Sequence, residues 1–193
     1  DMILVGDSVG MTVLGYSSTL PVTMDEMIHH VKAVVRGVRR AFVVGDMPFM
    51  SYQPSIELAI SNAGLFMQAG CDAIKLEGGA EVYDTVQAIS KMGIPVMGHL
   101  GLTPQKIMTL GYRLQGKDAG SAKQIIDDAK ALGEAGAIGV LLENVPAEVT
   151  KRIHEENTCL TFSIGGGPHS DGQLLLSHDI LGLTSGTKPK FAK

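Results

Sequence analysis

Six ionisable side chains in this sequence stand where apolar runs stop. Asp7 closes MILVGD, Asp46 closes AFVVGD, Lys75 and Glu77 close DAIKLE, His99 closes IPVMGH and Glu143 closes AIGVLLE. Asp7, Asp46 and Glu77 together make an oxygen-rich set. That set suits a hard divalent cation such as Mg2+, which keeps waters and takes one or two carboxylates plus substrate oxygens. No His/Cys ligand spacing is present, which argues against zinc. Lys75 and Glu77 are two residues apart, so on a strand they share a face. A lysine among carboxylates holds its charge and can pair with an anionic group of a substrate. Glu143, at an apolar strand end, is partly desolvated and has the makings of a general base. Each position also has a plain structural alternative. Asp7 can cap a turn, Lys75 can serve a structural salt bridge, Glu143 can favour the dipole of a following helix, and His99 can be a satisfied structural histidine.

The elements that must position these groups alternate. Strands are expected at 2–7, 41–46, 72–77, 94–99, 137–143 and 160–167, with a further one at 179–184. They are apolar nearly throughout rather than alternating, the mark of strands buried on both faces of a parallel sheet. Amphipathic segments lie between them. TMDEMIHHVKAVVRG carries a capping box, Thr23 with Glu26, and a stop at Gly37. PSIELAISNAGLFMQAG, GAEVYDTVQAISKMG and SAKQIIDDAKALGEAG end on Gly70, Gly93 and Gly136. PAEVTKRIHEEN follows the strand that ends at Glu143. Strand then helix, repeated, gives βα units with right-handed crossovers. The polar residues gather at strand C-termini, and in a (β/α)8 TIM barrel those ends converge on one mouth. The fold expected is therefore α/β, a single (β/α) barrel domain over residues 1–193. A barrel of this kind needs eight strands, and the sequence opens inside one without an initiating methionine. The first strand–helix unit is thus expected to be missing ahead of Asp1.

The bulk numbers narrow the function. The chain has 193 residues, a net charge of −4 and 45% hydrophobic residues. No basic run offers a footprint for nucleic acid. Arg36, Arg39 and Arg40 read as the polar end of a helix. No apolar run approaches the roughly 20 residues of a membrane span. Cys71 and Cys159 read as reduced, buried small hydrophobes of a reducing compartment, the cytoplasm. The ten methionines read as core filler and helix faces, with no function of their own. The glycines of IGGG at 164–167 can cradle a phosphate or simply turn a loop.

Six blocks in order, VGDSVGMTVLGYSSTLPVTMDEMIHH, VVGDMPFMSY, AIKLEGG, PVMGHLGLTPQ, LLENVP and DGQLLLSHDILGL, closely resemble the ketopantoate hydroxymethyltransferases. These enzymes are similar to the phosphoenolpyruvate mutase and isocitrate lyase group of barrels. The resemblance implies transfer of a hydroxymethyl group from 5,10-methylenetetrahydrofolate to 3-methyl-2-oxobutanoate through a Mg2+-stabilised enolate. The product is ketopantoate, for pantothenate and coenzyme A synthesis. It implies Asp7, Asp46 and Glu77 at the metal, with Asp7, Ser8, Asp46, Lys75 and His99 at the substrate. It implies Glu143 as catalytic base. It also implies a cytoplasmic homo-oligomer, often a decamer, and further sequence at both ends. FSIGGG stands where the family usually has IGIGAG, and Asn144 follows the base where a small residue or cysteine is commoner. Two other readings stay open on the residues alone. One is a mutase or C–C lyase of the same barrel group, although no KKCG-like segment is present. The other is a barrel without activity that serves as an assembly subunit.

Overall fold

A computed structural model of the chain describes residues 1–184. Seven strands form one sheet: β1 (Met2–Val5), β2 (Phe42–Asp46), β3 (Ala73–Glu77), β4 (Val96–Gly101), β5 (Gly139–Glu143), β6 (Leu160–Ile164) and β7 (Gly172–Gln173). Every neighbouring pair is parallel and the spatial order is the chain order. A doubly wound sheet would reverse its order at a switch point. Unbroken order is the winding of a (β/α)8 barrel, with each helix returning over the same face.

The helices are α1 (Val9–Thr12), α2 (Met24–Gly37), α3 (Ile56–Gln68), α4 (Tyr83–Lys91), α5 (Ile107–Leu110), α6 (Ala119–Glu134), α7 (Ala147–Glu156) and α8 (Ser177–Ile180). Local chemistry sets their limits. The capping box of α2 forms as its residue types demand: Thr23 accepts from the Glu26 N–H while Glu26 accepts from the Thr23 N–H. Gly37 is the last residue of α2 rather than a left-handed stop, and extended Val38 caps it. Gly70, Gly93 and Gly136, past the ends of α3, α4 and α6, have φ of +100°, +81° and +100°. Left-handed backbone there favours glycine. α6 begins two residues before the expected Ser121, because Asp118 supplies its N-cap. Arg36 lies in the last turn of α2, with exposed Arg39 and Arg40 just beyond it.

The sheet buries two separate apolar clusters, one per face. The larger packs the helices onto the outer face through Val43, Ile74, Leu76, Leu100, Val140 and Leu142. Phe66 of α3 and Cys71 lie so close over Gly45 that a Cβ there would sit 2.3 Å from the Phe66 ring. The smaller cluster lines the inner face: Val44, Ala73, Met97, Leu141 and Ile164, with Leu4, Phe42, Phe162 and Leu174 against them.

Three expectations need correction. The segment 179–184 is not a strand. Its apolar side chains Ile180, Leu181 and Leu183 are exposed, and the chain at 177–180 turns through α8. A short apolar run carries no periodicity to separate strand from helix. The seventh strand is instead Gly172–Gln173, pinned beside β6 by the Asp171 carboxylate, which accepts from the Thr161 N–H at 2.8 Å, and by Leu174 N–H to Ser163 O. Cys159 is only half-buried, whereas Cys71 is buried; both are free thiols. Met50 and Met92 are exposed outside the helices, neither core filler nor helix face, whereas exposed Met11 and Met108 lie on α1 and α5. Among the described residues no helix is long and apolar enough to cross a membrane.

Candidate active site

The register of the parallel strands gathers the ionisable residues. Asp46 pairs with Lys75, Glu77 with His99, and Gly101 of β4 with Glu143 of β5. Partners in register project to the same face. One inner face therefore carries, at its C-terminal rim, side chains from four neighbouring strands, and Asp7 joins them just past β1. Asp7, Asp46, Lys75, Glu77 and His99 are all buried. Glu143 is partly open, its side chain 19% exposed.

The contacts run unbroken across the rim. The Asp7 N–H donates to Asp46 Oδ2 at 2.9 Å. Lys75 Nζ lies 2.8 Å from Asp46 Oδ1 and 3.8 Å from Glu77 Oε1. His99 Nδ1 lies 3.3 Å from Glu77 Oε1, and His99 Nε2 lies 3.3 Å from Glu143 Oε2. Lys75 Nζ also comes within 3.3 Å of His99 Nδ1. That nitrogen cannot accept from Lys75 and donate to Glu77 at once. The carboxylates on both sides of the ring favour the imidazolium, with Nδ1–H facing Glu77 and Nε2–H facing Glu143.

The electrostatics follow from burial set against neighbours. Burial, then the Asp46 charge, pushes the Asp7 carboxyl up to about 8, with Lys75 working the other way. Burial raises Asp46 as well, partly offset by Lys75. Burial alone would lower Lys75, but Asp46, Glu77 and Asp7 outweigh it and hold the ammonium charged above its ordinary range. Burial opposes ionisation of Glu77 too, yet donors from His99, Lys75 and the Gln105 N–H bring it below its ordinary value. Burial and Lys75 disfavour charge on His99, but Glu143 and Glu77 raise it to about 8. The rim thus holds two cations, Lys75 and His99, against Asp46, Glu77 and the partly open Glu143, with Asp7 driven toward its neutral form.

Two residues that the sequence did not single out hold this array. Gln105 follows β4, and its side-chain amide donates to Asp7 Oδ2 at 3.0 Å and to Met47 O at 2.9 Å. Its backbone N–H donates to Glu77 Oε2 at 3.0 Å. Tyr52, in the loop after β2, donates to Gln105 Oε1 at 2.8 Å and accepts from the Glu77 N–H at 3.0 Å. The only signal available for them was position: both lie in loops that follow a strand carrying site residues.

Backbone conformation fixes Glu143. Gly101 has φ +88°, and a Cβ there would come 2.3 Å from the Glu143 carbonyl oxygen. Leu102 N–H donates to that oxygen at 2.8 Å. Asn144 adopts φ +49°, a left-handed conformation that asparagine tolerates better than most residues. Ser8 follows Asp7 at the rim, half-buried, and its hydroxyl makes no hydrogen bond among the described residues. The glycines at 165–167 form the turn after β6, with φ +69° at Gly165 and +83° at Gly167. The Gly166 N–H is already taken by the Ser163 hydroxyl at 3.0 Å.

Among the described residues no three His, Cys, Asp or Glu side chains converge into a ready metal cage. Mg2+ does not need one, since it keeps waters and binds substrate oxygens. Asp46 Oδ1 and Glu77 Oε1 are buried with no backbone or amide N–H fixing them; their neighbours are the Lys75 ammonium, 2.8 Å from the first, and His99 Nδ1, 3.3 Å from the second. Two contacting acids and two such oxygens form a set short of positive charge. In that sense the donor set fits a hard divalent cation.

A parallel sheet wound in chain order, with its ionic rim at the strand C-termini, defines an α/β barrel of the (β/α)8 type. A phosphoenolpyruvate phosphomutase from Streptomyces platensis subsp. rosaceus superposes with a TM-score of 0.68 at 12% identity, covering 94% of this chain and 71% of that one. 2,3-Dimethylmalate lyase, a member of the phosphoenolpyruvate mutase/isocitrate lyase superfamily, superposes with a TM-score of 0.64 at 14% identity, covering 87% and 62%. The sequence is far closer to a narrower group. A 3-methyl-2-oxobutanoate hydroxymethyltransferase from Thermoanaerobacter sp. (strain X514) is 56% identical over 195 aligned positions, spanning 100% of this chain and 71% of the relative. The sequence profile of the ketopantoate hydroxymethyltransferases matches residues 1–193. The chain belongs to the ketopantoate hydroxymethyltransferase family of enzymes.

Proposed function

We propose that this enzyme adds a hydroxymethyl group to 3-methyl-2-oxobutanoate, giving ketopantoate for pantothenate and coenzyme A synthesis, with 5,10-methylenetetrahydrofolate as one-carbon donor. The observation that carries the reading is the unbroken ionic rim from Asp7 to Glu143, because C–C bond formation at C3 needs a base beside a place for the keto acid's charge. Asp7 and Asp46 would hold Mg2+, with Glu77 turned toward the same site. Bound there, the cation would polarise the keto oxygen as a Lewis acid.

The chain's own groups divide the remaining work. Lys75 neutralises the substrate carboxylate, and Ser8 offers a free hydroxyl at the entrance. Glu143 removes the C3 proton; its partial exposure leaves it reachable from the mouth. His99 stands behind it, 3.3 Å from Oε2, and steadies its charge. The C3 carbon left with the electron pair adds to the donor's methylene carbon, both C–N bonds to that carbon break, and a water supplies the hydroxyl; its remaining proton and the one taken from C3 go to the two nitrogens, leaving tetrahydrofolate. The same reading carries a cytoplasmic homo-oligomer, a decamer by family resemblance.

The test is proton NMR of 3-methyl-2-oxobutanoate in D2O with the enzyme, with and without Mg2+ and without folate. Metal-dependent loss of the C3 proton signal is expected. Folded, metal-loaded protein that leaves the signal intact would overturn the proposal.

A further inference from the structure

The three buried carboxylates of the rim share one pattern. Each has one oxygen fixed by an N–H donor. Asp7 Oδ2 takes the Gln105 side-chain amide, Asp46 Oδ2 takes the Asp7 N–H, and Glu77 Oε2 takes the Gln105 N–H. The opposite oxygens of Asp46 and Glu77 take no such N–H; they face the charged side chains of the rim, Asp46 Oδ1 2.8 Å from Lys75 Nζ and Glu77 Oε1 3.3 Å from His99 Nδ1. Gln105 therefore supplies two of the three fixings, from a single residue 98 positions away from Asp7.

Its amide has one workable orientation. On one side lie two acceptors, Asp7 Oδ2 and the Met47 carbonyl, at 3.0 and 2.9 Å. On the other lie two donors, the Tyr52 hydroxyl at 2.8 Å and Gln53 Nε2 at 3.1 Å. Turning the amide over would set its oxygen against the Met47 carbonyl and its N–H against that of Gln53, and would leave the Tyr52 hydroxyl only the Glu77 carbonyl, at 3.1 Å, as acceptor. The Tyr52 hydroxyl in turn accepts the Glu77 N–H, so the lock closes on itself. Gln105, Tyr52 and Asp7 are buried, and only Gln53 reaches the amide from the exposed loop.

We propose that Gln105 is a positioning residue. It holds Asp7 and Glu77 each by one oxygen, so that the other oxygens of the acidic set stay turned into the rim beside Lys75, where a divalent cation would be held. The inference rests on the function proposed above. It goes beyond that reading in assigning the cation's affinity to a residue that need not touch it. Partners that orient metal-ligating groups are typically worth about 10–100-fold in metal affinity.

The test is Mn2+ binding to the full chain, without substrate, followed by electron paramagnetic resonance of the free ion. Gln105→Met removes the amide, keeps the length of the side chain and leaves the backbone N–H to Glu77. It should bind Mn2+ about 10–100-fold more weakly than the parent. C3 exchange should then need a proportionately higher Mg2+ concentration, yet return to within a few fold of the parent rate at saturation. A merely structural role would lower the rate at every Mg2+ concentration. If Gln105→Met melts cooperatively and binds Mn2+ like the parent, the inference fails while the proposed function stands. If Gln105→Met does not fold, Tyr52→Phe takes its place. That variant should weaken Mn2+ binding in the same direction, and unchanged binding overturns the inference. A parent chain that binds no Mn2+ overturns both readings.

Discussion

The inner face of the sheet is two surfaces in series. Val44, Ala73, Met97 and Leu141 belong to the apolar cluster. Two residues further along the same strands stand Asp46, Lys75, His99 and Glu143. The step is about 6.6 Å, two strand residues, and it keeps the side chains on one face. Over that step the lining changes from aliphatic to ionic with little change in burial. Val44 and Asp46 are 0% and 1% exposed, and Ala73 and Lys75 are 0% and 2% exposed. Burying three charges, with the partly open Glu143 beside them, at one end of a face whose other end is apolar gains little stability, because desolvation offsets the attraction. The apolar half holds the sheet; the ionic half is retained for chemistry. Substitutions in the two halves should therefore fail in different ways.

The largest effect belongs to the ionic half and leaves the fold alone. Glu143→Gln keeps the shape and the half-open position of the side chain but removes its ability to take a proton. C3 exchange measured by NMR should fall about 10²–10⁴-fold, the usual range for a general base. The melting temperature should barely change. A Glu143→Gln variant exchanging at the parental rate would remove Glu143 from the mechanism.

Next comes Lys75→Met, which touches both halves of the comparison. It leaves Asp46 and Glu77 buried without their shared cation, and one-sided removal of a buried ion-pair partner costs about 3–5 kcal/mol. Adding Mg2+ should recover more of the lost melting temperature than it adds to the parent, since a cation replaces a missing charge. An equal response in both proteins would mean that no cation reaches this rim. Leu141→Ala sits one step down the same face and should cost a comparable or smaller amount, about 2–5 kcal/mol, by leaving a cavity. Its Mg2+ response should match the parent, and its exchange rate per folded molecule should stay within a few fold. Chemical denaturation with and without Mg2+ measures both variants.

The same contrast explains what the sequence disclosed. Six of the seven strands were legible because parallel strands buried on both faces read as continuous apolar runs. The rim residues were legible because a charge at the end of such a run is costly enough to ask for a reason. The long blocks from VGDSVG to DGQLLL carried the family. Gln105 and Tyr52 were not legible. They lie in loops, where nothing periodic marks an inward-facing amide or hydroxyl, and only distances of about 3 Å to Asp7 and Glu77 give them meaning. β7 was missed because two residues show no alternation, and its place is set by Asp171 reaching back to Thr161 rather than by its own composition.

A second histidine–carboxylate pair makes the last comparison. His154 of α7 lies 3.5 Å from Asp171 Oδ2 and 2.9 Å from the Thr161 hydroxyl, on the surface, with both side chains more than one-third exposed. His99 and Glu143 pair the same two kinds of group at nearly the same distance, yet they sit in the buried rim. The Thr161 N–H holds the Asp171 carboxyl below its ordinary range against the opposing effect of burial, with the Thr161 hydroxyl and His154 adding to the hold. A carboxyl depressed on folding adds stability above its unfolded value, near about 3.9, and loses it as pH falls through the folded value. Asp171→Asn should therefore lower the melting temperature slightly at neutral pH, and the difference from the parent should shrink as pH falls below about 4. Mg2+-dependent C3 exchange at neutral pH should not change. A melting difference that persisted at low pH would mean that Asp171 acts through the shape of its hydrogen bonds to Thr161 rather than through charge. A loss of exchange would mean that the β6–β7 turn reaches the rim, and the division of the sheet into a stabilising region and a working one would have to be redrawn.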